Sequence, residues 1–429
     1  MDYPVSRRGF LQVTVASGAG YSALVGAGAL RALENPNERI VVGVMGTNGR
    51  GARLAGLFAS IAGCEVGYIC DVDERAVAKG VEAVTSQNAV TPRTESDFRG
   101  ILDDPAVDAL VVAAPDHWHA PATILACAAG KHVYVEKPAC HNPHEGELMV
   151  EAARKHRRVV QVGTQRRSSP GMIRAIERLR EGQIGRVLFA RGWVTSTRET
   201  IGRGQVATVP SWLNYDLWQG PAPEREYRDN LVHYHWHWLW HWGTGELGNN
   251  GVHALDLCRW GLGVDYPERV TCSGGKFFFD DDQETPDTQL ATFTFGDKAI
   301  CWEHRTWHPR GFEGMTFGAV FYGDQGTLVL GSDSYAFYDR SGKGSEPVST
   351  TIGDTDHQRD FLDCIRSGEQ PRASIDEGVK STHLCLLGNI AYRSGRTVNV
   401  DSATGSITGD EEQLTYWGRE YRPGWEPVV

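Results

Sequence analysis

Residues 39–60 read RIVVGVMGTNGRGARLAGLFAS, and no other stretch constrains the fold as tightly. Ile40–Met45 is a short apolar run, rich in Val, that stops at a glycine. That is the pattern of a buried parallel strand. The residues after it turn and enter a helical pattern. Gly46, Asn48 and Gly51 fall on the three fixed positions of G-x-G-x-x-G, so Asn replaces the middle glycine, whose task is to let the backbone approach a pyrophosphate. Asn tolerates left-handed backbone geometry, and Gly49 adds slack. Arg50 completes the loop. The next strand, CEVGYICDVD, carries Asp71 at its end, twenty residues after Gly51. An acidic side chain there accepts hydrogen bonds from a ribose diol and repels a 2′-phosphate, so the unit predicts NAD rather than NADP.

Strand and helix patterns keep alternating through ALVVA, HVYVEKP and VVQVGTQRR. Residues 38–168 therefore read as a doubly wound dinucleotide-binding (Rossmann) domain in an α/β protein. Ligands of such sheets bind beyond the carboxyl ends of the strands. Pro115, His117 and His119 follow one strand end, Glu136 and Lys137 another, and Gln165 a third. All six are candidates for the cofactor side.

The character changes after residue 168. Strand-like runs such as TQLATFTFG and GAVFYGDQGTLVLG are separated by turns, which predicts a C-terminal α+β domain with a large, mostly antiparallel sheet over residues 169–400. Late helices would return to brace the first domain, and residues 401–429 form an extension. The aromatic-rich segment around Trp212 and Tyr215 reads as a long loop. VHYHWHWLWHW, from Val232 to Trp242, alternates with period two, which suggests a strand with histidines on one face and tryptophans on the other. Two such histidines are close enough to share a metal, but no carboxylate stands at matching spacing, so the segment is expected to hold none. His235 and His237 are instead expected to line an aromatic sugar cleft. Further on, Asn249, His253 and Leu257 share one face of a glycine-rich helix.

The formal net charge of −11 gives no support to a nucleic-acid partner. The nine cysteines are scattered without a CxxC pair and read as buried thiols. Near the start, SRRGFL precedes a weakly apolar, Gly/Ala-rich run that lacks the hydrophobicity of a membrane span. Residues 1–34 thus resemble a twin-arginine signal or an N-terminal arm. The resemblance implies the export machinery as a partner and a periplasmic protein, or one anchored by an uncleaved N-terminus.

Taken with Gly46–Gly51 and Asp71, the motifs APDHWHA, EKP at Glu136–Pro138, GTQRR at Gly163–Arg167 and the glycine-rich segment ending in His253 and Asp256 resemble the glucose–fructose oxidoreductase/inositol dehydrogenase (Gfo/Idh/MocA) family, in its exported subgroup. The resemblance runs from Arg39 to about Asn399. It implies an open antiparallel sheet, dimers or tetramers, and sugar or polyol substrates. It places Lys137 beside the nicotinamide and makes His253 a catalytic or substrate-orienting residue. Asn249, Tyr215, Trp212, His235, His237 and Arg166 are then the expected substrate contacts. Many relatives carry aspartate where this chain has Asn249, and Asn can hold a hydroxyl but cannot take its proton. Two other readings stay open. One is an NAD-dependent glycosidase that oxidises transiently, eliminates and reduces again. The other is a non-catalytic sugar sensor, against which the presence of both Lys137 and His253 argues.

Overall fold

The computed structural model describes residues 39–351, 353 and 355–429. Arg7, Arg8 and the signal expected around them lie outside the described residues. None of the described helices is long and apolar enough to cross a membrane.

The first region runs β1 (Ile40–Met45), α1 (Arg50–Ala59), β2 (Cys64–Cys70), α2 (Glu74–Thr85), β3 (Arg93–Glu95), α3 (Arg99–Asp103), β4 (Ala109–Val112), α4 (Asp116–Ala128), β5 (His132–Val135), α5 (Pro143–His156) and β6 (Val160–Val162). Its six strands are all parallel, in the order β3-β2-β1-β4-β5-β6. The order reverses between β1 and β4, and that switch point opens a crevice for a ligand. Val42, Val44, Leu110 and Val111 are fully buried, as strands covered on both faces require.

The second region follows with α6 (Pro170–Arg180), β7 (Val187–Thr195), α7 (Tyr215–Gln219) and α8 (Val252–Leu262), then β8 (Arg269–Gly275), β9 (Thr288–Phe295), β10 (Lys298–Arg305), β11 (Phe317–Gly323), β12 (Gly326–Leu330), β13 (Ser334–Asp339) and β14 (Val348–Ser349). The chain ends with α9 (Asp356–Ser367), α10 (Ile375–Ser394), β15 (Val398–Asn399) and α11 (Glu411–Leu414). The nine strands pair in the order β14-β13-β12-β11-β7-β10-β9-β8-β15, antiparallel except for β7 with β10. Helix α8 lies on one face, so close that a Cβ on Gly192 of β7 would stand 2.9 Å from the Ala254 Cβ.

Helix α10 comes back to the first sheet. A Cβ on Gly378 would meet the Val162 side chain at 2.3 Å, and Thr382 Oγ1 accepts the Ala139 N–H at 3.0 Å. A second tie is ionic. Arg167, just after β6, donates through Nε to both oxygens of Asp256 on α8 at 2.9 Å, and its Nη1 lies 3.1 Å from Glu377 on α10. The last residues clasp the outside. Trp425 packs edge-on against Trp118 of α4 with ring centroids 5.1 Å apart, and Tyr421 donates to Glu145 of α5 at 2.8 Å.

The histidine-rich segment is not a strand. Residues 232–242 form consecutive turns around a single 3-10 turn, His235–Trp238. Side chains bond the local backbone and bend it: His235 Nδ1 faces Asn230 O at 2.8 Å, His237 Nδ1 faces Tyr234 O at 2.6 Å, and Trp236 Nε1 donates to His233 O at 2.7 Å. Trp236 and Trp242 pack in one aromatic cluster with Tyr215 and Trp218, while Trp238 lies under the Arg198 guanidinium. All nine cysteines are free, most of them buried.

Candidate active site

A cavity of about 480 Å³ opens at the carboxyl ends of β1, β2, β4 and β5. Its floor is the β1–α1 turn. Gly46 has φ +85°, and a Cβ there would lie 2.6 Å from Ala114 N. A Cβ on Gly51 would fall 1.8 Å from Gly46 O. The first and third glycines are therefore fixed by the turn itself. Gly49 faces open space, and Asn48 turns its side chain aside to accept from Lys79 Nζ at 2.7 Å. The backbone is thus left clear where the missing middle glycine would have kept it clear.

Asp71 stands at the end of β2. Its Oδ2 accepts the Thr47 N–H at 2.6 Å and its Oδ1 the Asp73 N–H at 3.0 Å, which leaves a lone pair on each oxygen for a diol. Burial pushes this carboxyl above its usual range, against the pull of those N–H groups and of His233. These residues fit a dinucleotide. Asp71→Ala is expected to weaken NAD binding by roughly a hundredfold or more and to narrow its margin over NADP, since charge-assisted hydrogen bonds contribute about 1.5–3 kcal/mol each. Fluorescence titration with both nucleotides checks this. Tighter binding of NADP by the native chain would remove the Asp71 argument.

At the other end, Lys137 Nζ donates to Asn249 O at 2.8 Å and to Asn249 Oδ1 at 3.1 Å. Asn249 can present both acceptors because it sits in a π-helical turn, Leu247–Gly251, just before α8. Such wide turns re-aim side chains and backbone at functional sites. Behind it, Asn250 donates to Glu246 at 2.6 Å, and Glu246 pairs with Arg198. His253 also lines the cavity. Its Nδ1 is buried and has no hydrogen-bond partner among the described residues. Burial first, then Lys137, Arg166 and Arg50, drive the ring well below the ordinary histidine range, so it is neutral at pH 7.

Glu136 is buried and receives Arg50 Nε at 2.8 Å and Gln165 Nε2 at 3.2 Å. Burial alone would raise its carboxyl; Arg50 and Lys137 overcome that and hold it below the usual range. His119 is pinned between Pro138 O at 2.6 Å and Ala114 O at 2.9 Å. Pro115, His119, Glu136, Lys137, Gln165, His237, Asn249 and His253 thus surround one space with Gly46, Asn48, Gly49, Arg50 and Asp71. Burial pushes the His237 imidazole down to about 3.

Several expected contacts stand elsewhere. His117 is fully buried with Nε2 3.0 Å from Trp218 O, so it packs behind the cavity. Tyr215 is buried against Trp218 and Tyr227. Trp212 lies under the Arg75 guanidinium at 3.3 Å, on the outer side of β2. His235 is spent on the turn just described, and Gly51 packs on Gly46. Arg166 stacks over Phe317 at 4.2 Å, and burial lowers its guanidinium to about 10. The histidine-rich segment, expected to line an aromatic cleft, contributes His233, Tyr234 and Trp236 beside His237, while Asp116, Trp218 and Asn250 line the cavity without having been singled out in the sequence. For Asp116 a signal existed, since it lies inside APDHWHA. Among the described residues, no three His, Cys, Asp or Glu side chains come together as metal ligands.

Fold and cleft define a two-part dinucleotide-binding protein. Residues 40–164 match the family described as "Oxidoreductase family, NAD-binding Rossmann fold", and residues 192–286 match its "C-terminal alpha/beta domain". The chain belongs to this Gfo/Idh/MocA oxidoreductase family, whose first domain binds NAD. It is 31% identical over 254 residues to a glycosyl hydrolase family 109 protein of Saccharopolyspora erythraea, covering 53% of this chain and 55% of that one. It is 38% identical over 190 residues to a levoglucosan dehydrogenase of Pseudarthrobacter phenanthrenivorans, covering 42% of each. An inositol 2-dehydrogenase of Rubrobacter xylanophilus is 33% identical over 163 residues, 38% of this chain and 45% of that one. The chain spans about half the length of the curated relatives it matches. A solved levoglucosan dehydrogenase in complex with NADH superposes with a TM-score of 0.67 at 18% identity, covering 85% of this chain and all of that one, a likeness of fold.

Proposed function

We propose that the chain is an NAD-dependent oxidoreductase acting on a secondary hydroxyl of a sugar, polyol or glycoside. The observation that carries this reading is Lys137 Nζ, held by Asn249 in the same cavity as the glycine turn, Asp71 and His253. Bound NAD supplies a hydride acceptor there. As hydride leaves the carbinol carbon, the hydroxyl proton must leave too, and Lys137 takes it when its amine is neutral. In the reducing direction its ammonium protonates and polarises the carbonyl. Asn249 aims Lys137 and cannot accept the proton itself. His253, neutral and unpartnered at Nδ1, offers a hydrogen bond to the substrate hydroxyl rather than the shared proton that an imidazole of ordinary pKa would provide. Trp218, Tyr234 and Trp236 give apolar faces for a sugar ring.

A second reading, redox-neutral cleavage of a glycoside, draws support from the relative named for a glycosyl hydrolase family. It also draws on the turn segment, which lines the cavity from His233, bonded to Asp73 after β2, to His237 near Lys137. A cofactor roofed in this way suits chemistry that regenerates it in every cycle. Panels of free sugars and glycosides separate the two readings. Accumulating NADH supports the dehydrogenase, released aglycone without net NADH supports cleavage, and neither product from any panel member would leave the sensor.

We infer export through the twin-arginine route from SRRGFL. Fractionation of cells making the native chain and an Arg7→Lys, Arg8→Lys double variant checks it: the native chain is expected outside the cytoplasm and the variant inside. Equal cytoplasmic retention of both would dispose of the claim. We also infer a dimer or tetramer built on the large sheet, which a monomer in light scattering would contradict.

A further inference from the structure

We propose that Asp116 is the proton-holding partner of Lys137 and supplies from α4 the carboxylate that Asn249 does not provide. This rests on the redox reading above. Asp116 opens α4, is 2% exposed and lines the same cavity as Lys137, Asn249 and His253. Thr244 Oγ1 donates to its Oδ2 at 2.7 Å. Thr244 in turn lies under the π-helical turn: a Cβ on Gly248 would stand 1.9 Å from Thr244 Oγ1 and 3.6 Å from Pro138 Cγ. Asp116, Thr244, Gly248, Asn249 and the Lys137–Pro138 pair are therefore one contiguous cluster. His119, on the next turn of α4, grips Pro138 O from the other side.

Among the described residues Asp116 has no cation at ion-pair distance, although it is buried. A carboxylate in that position costs stability. The titratable groups around it are His119 on its own helix and Lys137 and Cys140 after β5; the second region contributes the Thr244 hydroxyl. Burial raises the Asp116 carboxyl, while His119, Thr244 and Lys137 pull the other way. Such a group holds a proton closer to working pH than an exposed aspartate does.

The step balances. The carbinol carbon gives its hydrogen with the bonding pair to the bound nicotinamide dinucleotide. The hydroxyl O–H breaks and its proton forms an N–H bond at Lys137 Nζ, leaving a carbonyl. Lys137 passes one proton through a water in the cavity to the Asp116 carboxylate, which it does not touch directly, and is neutral again. Reduction runs the same transfers backwards. Asp116 acts through Lys137, so it is a positioning and proton-holding residue rather than a catalytic one.

Asp116→Asn keeps the shape and the Thr244 hydrogen bond. Single-turnover oxidation should fall by roughly a hundredfold and lose its decline on the acid side. Adding Asn249→Asp should recover at least roughly tenfold by returning a carboxylate to Lys137. A carboxyl whose pKa is raised by folding destabilises the fold above the unfolded value of about 3.9 and has no effect below it. The Tm of Asp116→Asn should therefore match or exceed that of the native chain at neutral pH, with the difference vanishing near about pH 3. Thr244→Val removes the hydroxyl that favours the ionised form, so it should move the acid limb to higher pH. Infrared difference spectra of the NAD-loaded protein without substrate provide a readout independent of turnover. The protonated-carboxyl band lost in Asp116→Asn should titrate at higher pH in Lys137→Met, because a nearby positive charge is gone. Full turnover in Asp116→Asn, a lowered Tm alongside lost turnover, or a band indifferent to Lys137→Met overturns the proposal. If no sugar or glycoside reacts with the native protein, the redox reading falls, and the infrared result still decides the Asp116–Lys137 pair.

Discussion

Lys137→Ala is expected to lower turnover by roughly a hundred- to ten-thousand-fold, with NAD affinity kept within about twofold. The separation follows from geometry. The dinucleotide turn at Gly46–Gly51 and the Asp71 carboxylate hang on β1 and β2, and neither is bonded to Lys137. Lys137 instead bonds Asn249 across the cleft, where the proposed reaction has it take up or give back the hydroxyl proton. A group whose interaction grows in the transition state shows its loss in kcat rather than in ground-state binding. His253→Ala removes one neutral hydrogen-bond partner and should cost less. Steady-state rates beside a cofactor titration measure both quantities. A Lys137→Ala protein that turns over normally, or one that has lost NAD binding to the same degree, would contradict the assignment.

The second large effect is on stability. Arg167→Met should lower the unfolding free energy by roughly 3–5 kcal/mol, the usual consequence of removing one partner of a buried ion pair. The Arg167 side chain is 5% exposed and that of Asp256 2%. Asp256 would keep the Ser381 hydroxyl at 2.6 Å but lose its cation. A double variant, Arg167→Met with Asp256→Leu, should recover much of the loss, because no unpaired charge stays buried. Urea unfolding of the three proteins tests this. A single variant within about 1 kcal/mol of the native chain would show that the tie between the regions lies elsewhere, in α10.

These two residues also mark how far the sequence could be read. The β1–α1 turn was legible because its chemistry is local: Gly46 needs a left-handed backbone and Gly51 needs to lack a Cβ, and both needs are written in residues a few positions apart. Lys137 and His253 were legible through motifs that sit at strand ends and in a glycine-rich turn. Arg167 was not. The sequence carries it only as the last letter of GTQRR, and its ion pair with Asp256 depends on α8 folding back 89 positions away. The histidine-rich segment misled in the opposite direction. Its period of two is real, but His235, His237 and Trp236 bond to carbonyls three to five residues back, and side-chain-to-backbone bonds of that kind compete with a strand. Asp116 was visible as a letter in APDHWHA. Its hydrogen-bond partner, the Thr244 hydroxyl, comes 128 positions later.

The central claim is that hydride leaves a sugar carbon in the cavity where Asn249 holds Lys137. The most direct test uses sugars and glycosides deuterated at single carbinol positions, mixed with the NAD-loaded protein and quenched within one turnover. Mass spectrometry of the recovered nucleotide should show deuterium on the nicotinamide ring for one labelled position only, and Lys137→Ala should abolish the transfer. Unlabelled nucleotide recovered alongside a converted substrate would contradict the account.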